Sequence, residues 1–177
     1  MNYISKYDSP LGLITMAGDS GGISGLWIDG QKYFAASLGD DFSERDDLEI
    51  FNKARAWLDG YFAGKNPKNL PPLAPKGSEF RQQVWDILLK IPYGELITYG
   101  EIKTKIEKTT GKRSSAQAVG GAVGHNPISI IIPCHRVVGS GGSLTGYAGG
   151  IDKKIKLLEL EKAPMDRLFV PGKGTAL

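Results

Sequence analysis

Residues 130 to 137 read Ile-Ile-Ile-Pro-Cys-His-Arg-Val, and Cys134 within them is the only cysteine of the 177-residue chain. A single thiol cannot form a disulfide within its own chain, and one cysteine beside one histidine offers too few ligands for a structural zinc site. Two interpretations of Cys134 remain. It is either a small buried hydrophobic residue or a nucleophile.

The neighbours of Cys134 favour chemistry over packing. Pro133 has no backbone N–H, so it predicts the end of a strand and places Cys134 at the strand terminus, where a side chain can face a cleft. His135 titrates near neutral pH and can take a proton from a thiol whose free pKa is about 8.5. Neighbouring side chains of an extended segment point to opposite faces, so contact between Cys134 and His135 needs a turn or a bridging water.

The composition is that of a soluble globular protein, with 41% hydrophobic and 23% charged residues. The first twelve residues show no signal pattern, and no apolar stretch approaches the roughly 20 residues of a membrane span. With a single cysteine as well, the sequence predicts a protein of the reducing cytoplasm that does not enter a membrane.

The first part of the chain predicts an antiparallel meander followed by a helix. Three apolar or β-branched runs separated by turn-forming residues lie before residue 40. From residue 46 to 62 the apolar side chains recur at helical spacing, and Gly64 helps to end the helix. Four prolines between residues 66 and 77 indicate a stiff connector, so a domain boundary is predicted after Lys76.

The two predicted domains differ in charge. The first 76 residues carry 8 basic and 10 acidic side chains, whereas residues 77–177 carry 14 and 9. Five of the basic residues fall within a short stretch and are opposed only by Glu107. They are Lys103, Lys105, Lys108, Lys112 and Arg113. This excess alone favours a polyanionic partner only weakly, because a charged face is often merely solvated.

Two short helices joined by a basic turn are predicted in this charged region. Thr98 opens the first, a turn follows at residues 109–113, and Ser114 or Ser115 caps the second, which runs to Gly124. This arrangement is typical of a helix-turn-helix, although αα-hairpins without a nucleic-acid role look similar. The second helix is rich in glycine and alanine. Interior glycine weakens a helix, so this composition needs a compensating benefit, such as close approach to another surface, either a protein element or a DNA groove.

Four further elements complete the predicted second domain. Ser78 caps a helix ahead of the helix-turn-helix. A buried strand from 128 to 132 leads into the cysteine segment, and a glycine-rich loop follows from 139 to 150. Asp152 is expected to cap a last helix that ends near Lys162.

Four motifs resemble those of the methylated-DNA-protein-cysteine methyltransferases, the 6-O-alkylguanine-DNA alkyltransferases. They are Val119-Gly120-Gly121, Asn126-Pro127, Ile132-Pro133-Cys134-His135-Arg136-Val137 and Tyr147-Ala148-Gly149-Gly150. The Pro-Cys-His-Arg-Val run is highly specific to that family. The likeness is dense from Phe80 to Glu161, whereas the N-terminal part matches only in Ser9-Pro10-Leu11-Gly12 and in its β-meander layout.

The resemblance implies an α+β fold with two domains. Residues 1–76 would form a ribonuclease-H-like N-terminal domain, an antiparallel sheet with a helix and the linker. Residues 77–177 would form a mostly α-helical DNA-binding and alkyl-acceptor domain, with a helix-turn-helix and a short active-site strand. The implied partner is double-stranded DNA that contains alkylated guanine, and the implied protein is a monomer without cofactor or metal.

By this resemblance, Cys134 is the acceptor in a DNA-repair reaction. Its thiolate attacks the alkyl carbon on oxygen-6 of guanine, or on oxygen-4 of thymine, and keeps the group as a thioether, so that the protein is consumed in one turnover. The residues suit this chemistry, because alkyl transfer to sulfur needs a deprotonated thiol and a proton for the departing base. His135 is implied as the base acting through water, Glu161 as the carboxylate that orients it, and Tyr99 as the residue that hydrogen-bonds the flipped base and donates the proton.

Further residues take implied roles in binding the base. Val137 and Cys134 would face its exocyclic amine with backbone carbonyls. Tyr147 and Ala148 would line the pocket. Asn126 would fix the turn after the recognition helix.

The DNA-binding surface would lie on the second helix of the helix-turn-helix. The predicted contacts are Gln117, Ser115, Ala118, Gly121 and Arg113. Family members usually place an arginine at the position of Gln117, and glutamine lacks the charge and stacking plane of guanidinium. The hypothesis is that base flipping survives, with weaker or more salt-sensitive binding. Contacts dominated by backbone predict little sequence preference around the lesion.

Two other functions remain open at this point, and Arg136 is expected to anchor structure rather than touch substrate. A cysteine hydrolase or transferase that uses Cys134 and His135 would turn over many times. A helix-turn-helix DNA-binding regulator without alkyl transfer would tolerate Cys134→Ser.

Overall fold

The computed structural model describes residues 2–172, and within that range the chain divides into two compact units. The first comprises residues 2–76 and the separate segment Pro127–Ile131. The second comprises Gly77–Asn126 and residues 132–172. The predicted boundary after Lys76 coincides with one division between the units, but the segment Pro127–Ile131 had been expected in the second domain.

A four-stranded sheet and one helix form most of the first unit. The strands are β1 (Asn2–Ser9), β2 (Gly12–Asp19), β3 (Gly22–Ile28) and β4 (Phe42–Glu44), in the order β3-β2-β1-β4. The first three form the predicted antiparallel meander, and β4 runs parallel to β1. Helix α1 (Glu49–Phe62) buries Phe51, Leu58 and Tyr61 and contacts the sheet. It begins later than residue 46, and β4 was not predicted because its three exposed residues carry no apolar alternation.

Helices dominate the second unit. They are α2 (Glu79–Leu89), α3 (Tyr99–Thr110), α4 (Ala116–Gly124) and α5 (Ile151–Leu160). Two short strands, β5 (Ile97–Thr98) and β6 (Val137–Val138), pair in parallel. Ser78, Thr98 and Ser115 cap α2, α3 and α4 through their side chains. The caps predicted at Ser78 and Thr98 are confirmed, and of the two serines predicted for α4 the structure uses Ser115. The turn between α3 and α4 is shorter than expected, because α3 continues to Thr110 and ends at the left-handed Gly111.

Helix α2 holds α4 in place. Trp85 is 1% exposed and donates its indole N–H to the carbonyl of Ala122 at 2.9 Å. That carbonyl lies in the last turn of α4, where main-chain carbonyls lack helical partners and can accept from a side chain. Val119 and Val123 are buried on α4. One side of this small-residue helix is therefore packed within its own unit.

Two predictions near Cys134 are wrong in detail. Residues 128–132 form no strand, since Ile128 makes only an isolated bridge to Leu26 and a turn follows in which Ile130 has φ 71°. Cys134 then begins a short 3-10 helix, Cys134–Arg136, and the short strand of this region is β6. A run of buried isoleucines indicates burial, but burial alone does not distinguish a strand from a buried turn.

The start of α5 also differs from the prediction. The helix begins at Ile151, and its N-cap residue is Gly150, with φ 92° and no side-chain cap. Asp152 lies in the first turn instead, where a carboxylate still interacts favourably with the helix dipole.

Candidate active site

Cys134 is almost fully enclosed, with 4% of the residue exposed. Asn126 donates a side-chain N–H to its sulfur at 3.2 Å. Burial raises the pKa of the thiol, and the Asn126 hydrogen bond and the positive charge of Lys154 lower that pKa only in part. Because the thiolate is the nucleophile, this thiol needs a base before it can attack.

Asn126 connects the two ends of the segment Pro127–Ile131. The chain leaves the second unit after Asn126 and returns to it at Ile132. The second N–H of the Asn126 amide donates to the carbonyl of Ile132 at 2.8 Å. The amide has only two hydrogens, so one bonds the Ile132 carbonyl, beyond the far end of the segment, and the other contacts the sulfur of Cys134. These contacts support the expected role of Asn126 in fixing the turn after α4.

His135 and Glu161 form a buried pair. The Nε2 atom of His135 lies 2.7 Å from Oε1 of Glu161, and both side chains are fully buried. Burial lowers the pKa of His135, and the hydrogen bond and charge of Glu161 oppose that effect. With its pKa below the ordinary value of about 6.5, the imidazole is neutral at pH 7 and can accept a proton.

Arg136 holds the same carboxylate from a second direction. Its Nε donates to Glu161 Oε2 at 2.8 Å and its Nη2 to Oε1 at 2.9 Å, while Nη1 donates to the carbonyl of Ile91 at 2.6 Å. Burial alone would raise the pKa of Glu161, but hydrogen bonds from His135 and Arg136 hold it well below its ordinary range. Glu161 is therefore ionised, and a two-point guanidinium contact sets its orientation.

The turn at residues 91–94 completes the support of Glu161, through contacts that the sequence did not predict. The backbone N–H of Gly94 donates to Glu161 Oε2 at 3.1 Å, and Tyr93 donates its hydroxyl to the carbonyl of Leu160 at 3.3 Å. Gly94 has φ 78°, and a Cβ there would lie 2.7 Å from the carbonyl oxygen of Glu161. Only glycine fits this position without strain. Residues 94 and 161 are far apart in the chain, so no local pattern indicates their contact.

Two tyrosines lie within electrostatic range of the cysteine. Tyr99 donates its hydroxyl to the carbonyl of Thr145 at 3.3 Å, and burial raises the pKa of Tyr99 to about 12. Burial also raises the pKa of Tyr147 well above its ordinary value. The ring of Tyr147 meets that of His135 edge-on, with centroids 6.5 Å apart. Both phenols keep their protons at neutral pH and can act as hydrogen-bond donors.

Lys154 is the other residue that sequence reasoning missed. It is 0% exposed, and its ammonium donates to the carbonyl of Val137 at 2.5 Å and to that of Thr145 at 3.0 Å. Burial lowers the pKa of Lys154 to about 8, against an opposing effect of Cys134. A sequence signal existed. Lys154 precedes the buried Leu157 and Leu158 by three and four residues, so it shares their face of α5.

The predicted DNA contacts differ from this buried cluster in their exposure. All five are exposed: Gln117, Ser115, Ala118, Gly121 and Arg113. A Cβ on Gly121 would meet nothing within 4 Å, so packing among the described residues does not require glycine there. Apart from Gln117, the exposed residues of α4 are therefore alanines and a glycine. Ala148, the remaining predicted site residue, is half-buried beside Tyr147.

The chain matches two family models that together span most of its length. Residues 79–163 match the DNA binding domain of 6-O-methylguanine DNA methyltransferase, and residues 2–73 match its ribonuclease-like domain. A methylated-DNA--protein-cysteine methyltransferase of Methanosarcina acetivorans is 44% identical over 160 residues, which cover 90% of this chain and 97% of the relative. One of Mycobacterium bovis is 45% identical over 168 residues, which cover 94% and 97%.

The chain belongs to the 6-O-methylguanine DNA methyltransferase family.

A solved structure supports the same assignment. Mycobacterium tuberculosis OGT in complex with DNA superposes with a TM-score of 0.79 at 43% identity, over 93% of this chain and 96% of that one. Family membership confirms the predicted α+β fold and makes the chain a DNA-repair methyltransferase that transfers an alkyl group to its own cysteine. Cys134 is the only cysteine available as acceptor. A regulator without alkyl transfer is not favoured.

Two further features of this methyltransferase concern the described part of the chain. From residue 2 to 172, no group of three or more His, Cys, Asp and Glu side chains is arranged to hold a metal ion. None of the helices in that range combines the length and apolar character needed to span a bilayer.

Proposed function

We propose that this methyltransferase removes alkyl groups from oxygen-6 of guanine, and from oxygen-4 of thymine, in double-stranded DNA. A bond forms between Cys134 Sγ and the alkyl carbon, and the bond between that carbon and the base oxygen breaks. The base leaves with the bonding electrons and gains a proton. The observation that carries this proposal is the enclosed thiol beside a fully buried histidine and carboxylate.

His135 is the proposed base. Acting through a water molecule, it takes the thiol proton and becomes an imidazolium that the adjacent Glu161 carboxylate stabilises. The arrangement suits this step, because the pKa of His135 is lowered by burial while Glu161 remains ionised. A general base of this kind contributes about 10²- to 10⁴-fold in rate.

Tyr99 is the proposed proton donor for the departing base. With a pKa of about 12 its hydroxyl is protonated at neutral pH. In the free protein the hydroxyl donates to Thr145. On binding, it would exchange this partner for the flipped base. Tyr147 and Ala148 would line the pocket, and the carbonyls of Val137 and Cys134 would accept from the exocyclic amine.

The target base must leave the DNA stack to reach this thiol. Only 4% of Cys134 is exposed, and the target oxygen of a paired guanine lies inside the duplex. Extrusion costs a few kcal/mol, less for a damaged base that pairs poorly. The exposed side of α4, which carries mostly small residues, is the proposed surface for close approach to DNA. Gln117 is the proposed side chain that enters the space left in the base stack by the extruded nucleotide.

Replacing Gln117 by arginine is expected to tighten DNA binding and accelerate repair by roughly 3- to 10-fold each. The guanidinium adds a positive charge and a planar stacking surface at the extruded position. Fluorescence anisotropy with a labelled duplex measures the affinity, and single-turnover kinetics measure the repair rate. Asn69→Arg adds the same charge at an exposed position of the first unit and serves as the control. Equal affinities and rates for wild type and Gln117→Arg would contradict the role of residue 117.

Intact-mass spectrometry tests the function itself. After mixing with a duplex that contains 6-O-methylguanine, the protein is expected to gain one methyl group per molecule and no more. The gain should be absent with unmodified duplex and with Cys134→Ser. No gain in the wild type would refute the proposed function. Repeated demethylation by one protein molecule would instead indicate an enzyme that turns over.

We also propose that the protein acts as a monomer in the cytoplasm. One thiol serves one lesion, and a nucleophilic cysteine needs a reducing compartment to stay free. Size-exclusion chromatography with light scattering, with and without DNA, tests the monomer.

A further inference from the structure

A surface pocket of about 650 Å³ lies within the first unit, where helix α1 meets the proline-rich segment that follows it. Helix α1 contributes Lys53, Ala56 and Trp57 to its lining, and residues 67–72 contribute the rest. Ligand pockets in proteins commonly measure about 300 to 1,000 Å³, so this volume suits a small molecule. None of these residues has a role in the proposed alkyl transfer.

Trp57 carries a buried hydrogen-bond donor without an acceptor. The residue is 7% exposed, and its indole N–H has no hydrogen-bond partner among residues 2–172. Stacking orients the ring, which lies 11° from the plane of the Tyr61 ring with centroids 5.2 Å apart. The indole of Trp85 shows the usual arrangement, in which a buried N–H donates to a carbonyl. An unsatisfied buried donor is costly, which favours a ligand that brings an acceptor to Trp57.

The proline-rich wall of the pocket is fixed at one end only. Ile23 of β3 donates its backbone N–H to the carbonyl of Pro72 at 2.8 Å, and its own carbonyl accepts from Ala74 at 2.7 Å. The backbone of residues 66–71, by contrast, makes no hydrogen bond with any other residue in the described part of the chain. Moving residues 67–70 breaks no backbone hydrogen bond, so an acceptor can approach the Trp57 N–H from the pocket at little cost.

The pocket is positively charged. Both charged side chains among its described lining residues are lysines, Lys53 and Lys68. Lys53 is paired with Glu49, one turn earlier on α1, at 2.7 Å. Lys68 forms no ion pair with any residue from 2 to 172. An anionic ligand would therefore find one cation that is not already neutralised.

Most of the remaining lining is apolar and flat. It consists of Ala56, Pro67, Leu70, Pro71 and Pro72, with Asn69 as a further polar residue. Leu70 is 45% exposed, so a ligand would remove apolar surface from water. The faces of proline rings and of an indole suit a planar, aromatic body.

We propose that the first unit binds a small aromatic carboxylate in this pocket. The aromatic body lies against Trp57, Leu70 and the prolines. The carboxylate accepts from the Trp57 N–H, and Lys68 supplies the positive charge. This binding is non-covalent, and it is independent of whether Cys134 accepts an alkyl group.

Two-dimensional ¹H-¹⁵N NMR of the whole chain, titrated with 4-phenylbutyrate, tests the site. The indole resonance that is missing from Trp57→Phe identifies Trp57. The ligand is expected to shift this resonance, with half-saturation at about 1 mM, as is usual for a ligand of this size. The resonance of Trp85, whose N–H already donates to Ala122, should not move. An unchanged Trp57 resonance at about 20 mM ligand would overturn the proposal.

Lys68→Met tests the contribution of charge. Its affinity for 4-phenylbutyrate is expected to fall about 3- to 5-fold, because the lysine is exposed and solvent screens its charge. The neutral 4-phenylbutyramide should bind wild type and Lys68→Met with equal, weaker affinity. Lys65→Met removes an exposed lysine that does not line the pocket and should keep the wild-type affinity. Equal binding of carboxylate and amide by the wild type would overturn the proposal, as would equal losses in the two lysine variants.

Trp57→Phe tests the contribution of the N–H, because it keeps an aromatic ring and removes the donor. Its affinity for 4-phenylbutyrate is expected to fall about 5- to 10-fold. Without ligand, its melting temperature should equal or exceed that of wild type, since the substitution removes an unsatisfied donor. Wild-type affinity in a folded Trp57→Phe protein would overturn the proposal. Lys68→Met and Lys65→Met change exposed side chains, so calorimetric titration of these two variants decides the proposal even where Trp57→Phe does not fold.

Discussion

Glu161→Gln is expected to slow methyl transfer from DNA by about 10²- to 10³-fold, within the usual range for impaired general base catalysis. The amide keeps the shape of the carboxylate but not its charge. The Nε2 atom of His135 lies 2.7 Å from Glu161 Oε1. The substitution therefore removes the anion that stabilises His135 after it has taken the thiol proton. It also leaves the guanidinium of Arg136 buried without a counter-ion.

Single-turnover kinetics on a 6-O-methylguanine duplex check this expectation, with circular dichroism and chemical denaturation to confirm that the variant is folded. Glu159→Gln makes the same chemical change at an exposed position near the end of the same helix, and its rate should equal that of wild type. A folded Glu161→Gln protein that repairs within threefold of the wild-type rate would show that His135 does not depend on this carboxylate.

Arg136→Met is expected to lower the free energy of unfolding by roughly 3 to 5 kcal/mol, the usual cost of removing one partner from a buried ion pair. Glu161 would keep its contacts with His135 and with the Gly94 backbone but lose both guanidinium bonds. The carbonyl of Ile91 would lose a donor at 2.6 Å. Such a loss is a large fraction of the 5 to 15 kcal/mol that stabilise a typical protein.

Urea denaturation monitored by tryptophan fluorescence measures the change, and the melting temperature should fall by roughly 10 °C. The matched variant is Arg167→Met, which removes an exposed arginine from the same unit and should leave stability within about 0.5 kcal/mol. If Arg136→Met unfolded at the wild-type urea concentration, the guanidinium would be dispensable for the support of Glu161.

Much of the second unit was predictable because its signals are local. A side-chain cap acts within three residues of the helix start, so Ser78 and Thr98 were identified at the correct position, and the third cap was narrowed to Ser114 or Ser115, of which the structure uses Ser115. The errors arose where local patterns are ambiguous. The isoleucine run at 130–132 is buried in a turn rather than a strand, and α5 begins ahead of the expected cap at Asp152. Apolar residues are buried in either conformation, so their presence does not specify the backbone.

The sequence by itself determined the family and the acceptor. One cysteine within Pro133-Cys134-His135-Arg136-Val137 leaves no other thiol to carry the chemistry, and this depends only on residue identity. The tertiary structure alone decided how that thiol is supported. Lys154, Gly94 and Ile91 reach the site from separate segments, through contacts between residues far apart in the chain. Such contacts exist only once packing brings the segments together, because hydrogen bonds act over about 3 Å regardless of sequence separation.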